Sequence, residues 1–555
     1  MDFVRANNIA RLRTEQFDVL VVGGGITGLG VALDAASRGL SVGLVEKDDF
    51  SSGTSSKSSK LIHGGLRYLQ QGEIGLVYEA LHERQRLVRN APHLVSVLPF
   101  MIPILTRDGV ISKKIARALG SALWMYDLTG GWRIGKLHRR LKSDEAFAHM
   151  PTMNKEKLAG AYLYFDAAAD DSRLCVAIAR TAAKHGAALA NYCSVQKITH
   201  DSNGRANGAI VRTVENEEFA ITARCVVNAA GVWADNIRKA DEGTDPHSIR
   251  PAKGIHITVP WKMVRNDIAV VIPVRRDKRS LFVVPWVSNG DGTYQYTYVG
   301  TTDTDFAGGV DESQSSHDDI EYVLEALNQS VNGNITADDV TAVWSGLRPL
   351  VRNEDGTTAT GKTADLSRKH QVRVSATGVV SIAGGKLTTY RKMAEHTVDE
   401  VLKQVGKKTA CKTKRLRFVG ATAKSSKKVD REALHLYQRF GSEAQTIQEL
   451  ITSDPSLAEP LIIGLPYLRA EAIFAVRFEM ARTLDDILSR RTRARIINRP
   501  ASLASARAVA KLMATELQWD DAEVERQVAN YVDSCAKEAA AGEVSEAEYL
   551  ASQTN

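Results

Sequence analysis

The sequence predicts a mixed α/β and α+β architecture: a doubly wound, parallel-sheet domain interleaved with an antiparallel-sheet domain, and a helical domain at the C-terminus. Three observations predict it. Near the N-terminus a buried-strand run, a glycine-rich turn and a helical pattern follow one another. The same strand-then-glycine grammar returns twice, far along the chain. Beyond residue 428, alanine, leucine and charged residues dominate, as helix formers do.

The first unit begins with Asp18-Val19-Leu20-Val21-Val22, a continuous apolar run suited to a strand buried on both faces. After Gly23-Gly24-Gly25-Ile26-Thr27-Gly28, the residues Leu29, Ala32, Leu33, Ala35 and Ala36 recur at helical spacing until Gly39. Leu40 to Glu46 then reads as the next strand, ending in a carboxylate. The pattern fits a Rossmann-like dinucleotide turn, in which each glycine has its own reason. Gly23 permits the tight turn, Gly25 lets backbone approach a pyrophosphate, and Gly28 allows helix to pack closely on strand. Glu46, eighteen residues after Gly28, is placed to accept hydrogen bonds from a ribose diol.

Cys225 to Gly231 and Val379 to Lys386 repeat the strand-then-glycine order, so the nucleotide-binding domain is dispersed in sequence. Between them, Ile255 to Val259, Ser280 to Pro285 and Tyr294 to Val299 read as strands of a second, antiparallel sheet. The division that follows assigns 15-110, 150-240 and 370-402 to the cofactor domain and 111-149 and 241-369 to a substrate or cap domain. A basic linker covers 403-428 and a helical domain 429-555, where Ala433, Leu436, Tyr437 and Phe440 share one helical face.

At 555 residues, 44% hydrophobic and 25% charged, the composition is that of a globular chain of two or three domains. Cys175, Cys193, Cys225, Cys411 and Cys535 form no CxxC pair and have no histidine at ligand spacing, which argues against a disulfide framework and a metal site. The N-terminus lacks the apolar region of a secretory signal, and no run of about 18 apolar residues suggests a membrane span. A cytoplasmic chain is expected. The net charge of +7 suits nucleic acid, an anionic membrane or an anionic substrate equally well.

FAD and NAD share the ADP half, so the first unit alone does not separate them. The segment Ser51 to Tyr68 combines hydroxyl groups, paired glycines and cations, suited to an extended pyrophosphate and ribityl chain. Gly384-Gly385-Lys386-Leu387-Thr388-Thr389-Tyr390-Arg391 follows an apolar strand and opens a helix whose amides suit negative charge on a flavin's pyrimidine edge. Helix capping by Thr388 or Thr389 would use the same residues. Together these segments point to FAD.

Seven blocks in order now resemble the FAD-dependent glycerol-3-phosphate dehydrogenases of the glycine-oxidase and D-amino-acid-oxidase superfamily. They are Gly23 to Gly28, Thr54 to Leu69, Val227 to Trp233, Lys253 to His256, Gly300 to Asp303, Ser345 to Leu350 and Gly384 to Arg391. Glu479, Thr483, Asp486, Arg490, Arg491 and Thr492 resemble the family's C-terminal domain more loosely. The resemblance implies oxidation of sn-glycerol 3-phosphate to dihydroxyacetone phosphate, hydride passing to FAD and electrons then to a quinone. A glycerol-3-phosphate oxidase, using oxygen and releasing peroxide, is the alternative. It implies FAD contacts at Gly23, Gly25, Gly28, Glu46, Thr54, Ser55, Ser58, His63, Gly65, Gly231, Gly385, Lys386, Leu387 and Thr388. It further implies a substrate site of Arg67, Tyr68, His256, Arg348, Arg368 and Lys386, and a homodimer. Arginine forks suit phosphate, and a neutral imidazole or a lysine of lowered pKa suits proton removal from the C2 hydroxyl. Either His256 or Lys386 fills that last role, with Arg348 as the third catalytic candidate.

Between Ile111 and Lys142, basic residues including Lys113, Arg117, Arg133 and Arg139 stand beside Trp124, Tyr126 and Trp132. The pattern suits peripheral contact with an anionic membrane on the inner face of the cell, where a quinone is accessible; a cap-domain helix pair with a solvated basic face is the other reading. The basic run from Lys403 to Lys428 has no nucleic-acid motif beside it, and no nucleic-acid partner is expected, although a nucleic-acid-binding flavoprotein stays as a remote alternative.

Overall fold

A computed structural model describes residues 3–66, 73–106, 116–129, 134–244, 246–277, 279–311, 313–352, 369–422 and 431–553. Among them the strands form three sheets. Val19–Val22 lies between Val42–Val45 and Val226–Asn228 in a six-stranded sheet, with Ala188–Ala190 beyond the first and Val380–Ala383 beyond the second. These neighbours are all parallel, and only the edge strand Gln371–Val374 runs antiparallel. The three strand-then-glycine segments are therefore adjacent in space, and their glycine turns gather at the carboxyl ends of parallel strands, where ligands bind in open α/β sheets.

The helix Ile26–Ser37 begins at the glycine turn and packs between Asp171–Lys184 and Tyr390–Val405. Apart from Thr27 its residues are buried, which its run of glycine, alanine and leucine permits. Gly30 shows how tight the packing is, since a Cβ there would stand 2.6 Å from the Tyr390 ring. A four-stranded sheet of Gln16–Phe17, Glu218–Ala223, Ala206–Thr213 and Cys193–His200 adjoins this domain.

The large sheet is antiparallel as expected, except where Ala269–Phe100 and Val270–Met101 pair in parallel. One end of it is formed by Ala342–Val351, Ile249–Pro260 and Tyr294–Gly300. Residues 95–105 and 158–169, grouped with the cofactor part in the sequence division, are strands of this large sheet. Tight alternation is absent from both, so composition alone did not separate them from the parallel strands.

The C-terminal part is helical, from Arg431–Phe440 through Arg499–Leu517 and Asp521–Ala541 to Glu546–Ser552. Its core gathers Leu484, Leu488, Val509, Met513 and Tyr531. In Arg431–Phe440, Leu436 and Phe440 are buried, as the helical pattern requires. The described part of the segment before it is tethered, with Arg38 donating to the Thr409 carbonyl, Phe418 N to Asn90 O and Val419 N to Thr181 Oγ1. The described cysteines are free thiols, and no metal-competent cluster occurs among the described residues.

Candidate active site

The glycine turn is built by what each missing side chain leaves open. Gly23 has φ of 111°, and a Cβ there would stand 2.6 Å from the Ala229 carbonyl oxygen. Gly25 caps the helix and lines the cavity above it. Gly28 does not line the cavity; a Cβ there would collide with the Gly23 carbonyl, so it underlies the turn and lets it close. Glu46 accepts from Gly24 N at 2.5 Å and from Asp48 N at 3.0 Å. Burial without a cationic contact pushes its carboxyl up to about 7.

A cavity of about 680 Å³ extends from this turn. It passes Gly231 and the Gly384-to-Thr388 turn and reaches a wall made by the large sheet. Gly23, Gly25, Glu46, Thr54, Ser55, Ser58, His63, Gly65, Gly231, Gly385, Lys386, Leu387, Thr388, His256 and Arg348 all line it. Arg67, Tyr68 and Arg368 lie outside the described residues, as do Lys113 and Arg133 of the basic aromatic segment.

The serine-rich segment serves the protein as well as the cavity. Ser55 Oγ accepts from Ile26 N at 2.9 Å, Thr54 Oγ1 donates to Leu347 O at 2.6 Å, and Ser58 Oγ donates to Asp171 at 2.7 Å. These bonds lock the segment between the helix N-terminus and the large sheet. At the second turn, Leu387–Thr389 forms a short 3-10 segment before the helix Tyr390–Val405, with no side-chain cap. Thr388 Oγ1 instead accepts from His63 N at 3.3 Å, tying the two glycine-bearing loops together.

The far wall follows from strand register. His256 pairs with Trp344, Gly254 with Gly346 and Ala252 with Arg348, so alternate residues of both strands share the cavity face. Glycines make room there, since a Cβ at Gly254 would strike the Arg348 guanidinium and one at Gly300 the His256 ring. Arg348 is held by Asp303 at 3.2 Å, Thr301 Oγ1 at 3.2 Å and the Thr302 carbonyl at 3.1 Å. His256 stacks on Trp344 with centroids 4.6 Å apart and rings 6° from parallel, and its Nε2 lies 2.8 Å from Ser59 Oγ. The Lys60 ammonium stands 4.5 Å from the Trp344 ring. Burial, with the Lys60 and Arg348 charges, holds the imidazole well below its usual range, so His256 is neutral at physiological pH. Burial also brings Lys60 down to about 8.

Ser59, Lys60, Trp344, Thr301 and Asp303 were missed as functional candidates. All stand in or next to blocks that carry the family resemblance, and only the strand pairing reveals their contacts. Lys253, from another such block, turns away: its ammonium is buried against Asp319 at 2.6 Å and Glu546.

The residues fit a dinucleotide. The turn leaves bare backbone at Gly25, a carboxylate stands at the strand end, and the second turn approaches the far wall. A family model described as FAD dependent oxidoreductase matches residues 18–391, and one described as the C-terminal domain of alpha-glycerophosphate oxidase matches residues 411–524. Glycerol-3-phosphate dehydrogenase 2 of Mycobacterium tuberculosis (strain ATCC 25618 / H37Rv) is 39% identical over 538 residues, 94% of this chain and 88% of its own. The mitochondrial glycerol-3-phosphate dehydrogenase of Bos taurus is 36% identical over 93% of this chain and 72% of its own. Among solved structures, the glycerol-3-phosphate dehydrogenase from Bacillus halodurans complexed with FAD matches with a TM-score of 0.77 at 30% identity, covering 96% of this chain and 97% of that one.

Proposed function

The chain belongs to the FAD-dependent glycerol-3-phosphate dehydrogenases, and from that premise we propose how its own residues perform the oxidation. It oxidises sn-glycerol 3-phosphate to dihydroxyacetone phosphate. One observation carries the residue assignment: a single cavity joins the glycine turn to the wall of His256 and Arg348.

Bound FAD supplies the acceptor for the hydride that leaves C2. Gly23, Gly25 and Glu46 would hold the ADP half, and Gly385 to Thr388 would hold the other end. The C2 hydroxyl proton must leave as the hydride does, and His256, neutral and fixed by Ser59 and Trp344, accepts it. Lys386, at the second turn, is the alternative acceptor. Arg348 grips the substrate phosphate or the developing carbonyl oxygen, its fork already aimed by Asp303 and Thr301. The family resemblance assigns Arg67, Tyr68 and Arg368 to the same anion, although they lie outside the described residues.

Electrons pass on to a quinone. In support, the relatives are dehydrogenases by name, and the helix Ala116–Thr129 exposes Trp124, Met125 and Leu128. Lys136, Arg139 and Arg140 are exposed nearby in sequence, so this region suits peripheral contact with an anionic membrane. No helix among the described residues is long and apolar enough to cross one. Stoichiometric peroxide at the rate of substrate turnover would replace quinone with oxygen as acceptor.

Anaerobic addition of sn-glycerol 3-phosphate is expected to bleach the oxidised flavin absorbance of the FAD-loaded enzyme; persistence of that absorbance in a folded sample overturns the reading. Arg348→Ala is expected to raise KM roughly 10-fold or more with flavin content unchanged, as loss of a charge-assisted contact of about 1.5–3 kcal/mol requires. Loss of flavin instead would move Arg348 from the substrate to the cofactor.

A further inference from the structure

A second cavity, of about 690 Å³, lies between the loop that follows Val42–Val45 and the helical domain. Ser52 and Lys57 border both cavities. The size is that of a small-molecule site, and the walls are more polar than apolar.

Its cations fall into two kinds. The arginines that reach it are matched: Arg490 with Asp485 at 2.7 Å, Arg493 with Asp171 at 3.0 Å, Arg495 with Glu538 at 3.0 Å and Arg482 with Glu215 at 2.8 Å. Lys57 differs. Among the described residues its ammonium has no ion pair or hydrogen bond, and its side chain keeps accessible surface although the residue lies between two domains. Enclosure and the Arg490 and Arg495 charges push its pKa down, while Asp485 and Glu538 oppose them without touching it. The Lys57 side chain is exposed to this cavity and has no counterion among the described residues, so a bound anion would supply one.

We propose that this cavity is a second anion site, adjoining the cofactor and substrate cavity at Ser52 and Lys57, for a small phosphorylated metabolite whose phosphate binds Lys57. A phosphate offers acceptors to the ammonium, and the polar walls offer partners to the hydroxyl groups of a sugar-like body. The site is placed to influence turnover. Trp344 borders it and carries His256 on its ring, and Lys57 packs on Gly346, where a Cβ would stand 2.7 Å from the Lys57 carbonyl oxygen. Both residues belong to the strand that also bears Arg348.

The test is calorimetric titration of FAD-loaded enzyme held saturated with dihydroxyacetone phosphate, so that the substrate site is filled. Ribose 5-phosphate is expected to bind at one site, at least 10-fold tighter than inorganic phosphate, and Lys57→Gln is expected to weaken it at least 10-fold while Lys57→Arg restores it. Absence of binding, or equal binding to Lys57→Gln, overturns the proposal. Equal affinity for the two probes overturns the metabolite assignment. A second measurement guards against a folding defect: without probe, Lys57→Met is expected to melt at or above the wild-type temperature, and ribose 5-phosphate to raise only the wild-type value. A melting point several degrees below wild type would mean that the ammonium already has a partner, and would overturn the site.

Discussion

Glu46 and Asp49 stand three residues apart in one loop, yet their environments drive them in opposite directions. Glu46 faces the cofactor cavity, accepts only backbone hydrogen bonds and is pushed up to about 7 by burial. Asp49 faces the helical domain. Burial alone would raise it, but Arg491 at 2.6 Å and Arg490 at 2.7 Å hold its carboxyl below the usual range. The lesson is that one loop has an open carboxylate for a ligand and a closed one for structure. Arg173–Glu479 at 2.6 Å, Arg493–Asp171 at 3.0 Å and the Tyr192 hydroxyl donating to Asp486 at 2.6 Å extend the closed side.

The comparison breaks most severely if Asp49 is removed. Asp49→Ala leaves Arg490 and Arg491 short of a buried counterion, and the expected loss is about 3–5 kcal/mol in denaturant unfolding. A loss below about 1 kcal/mol would mean that the helical domain docks by apolar packing alone. On the open side, Gly25→Val is expected to reduce FAD affinity at least about 100-fold, since even a Cβ would stand 3.2 Å from Ser55 Oγ and the branched side chain would fill the approach to the turn. Flavin occupancy after gel filtration measures it, and normal occupancy would refute the reading of the turn.

The smallest effect sharpens the contrast through pH. Glu46 has a folded pKa above its unfolded one, so its contribution to apoprotein stability is full below about pH 4.5 and is lost as pH rises through about 7. Asp49 has the opposite sign: its contribution is present above the ordinary carboxylate pKa and is lost on acidification through its depressed value. With the ionised Glu46 proposed to accept from the FAD ribose, FAD is expected to bind a few-fold more tightly at pH 8 than at pH 6. Glu46→Gln should flatten that dependence in a fluorescence titration; an unchanged slope would assign it to another group.

These contrasts also mark what the sequence made legible. The glycine turn was readable because its chemistry is backbone chemistry at fixed local spacing: Gly23, Gly25, Gly28 and Glu46 span one βαβ unit. The far wall was readable only by resemblance at His256 and Arg348, because their juxtaposition rests on the pairing of Gly254 with Gly346 across about 90 residues of chain. Trp344, Ser59 and Asp303 carried no signal of their own, since each acts through a partner that only folding supplies. The strands 95–105 and 158–169 escaped for a related reason: both are largely buried, so neither shows the alternation that marks a half-exposed sheet. Arg490 and Arg491 were noticed in the tail, but nothing local tied them to Asp49, more than 400 residues earlier.

The order of the parallel sheet bears on biosynthesis. Val226–Asn228 is flanked by Val19–Val22 and Val380–Ala383, so the second glycine turn joins the first only after residue 383 has left the ribosome. Until then the nascent chain carries an apolar sheet with an open edge and half a nucleotide cradle, the kind of surface that holdase chaperones cover. The cavity is therefore completed late in translation, and a chain interrupted before that strand lacks the turn from Gly384 to Thr388 that lines it.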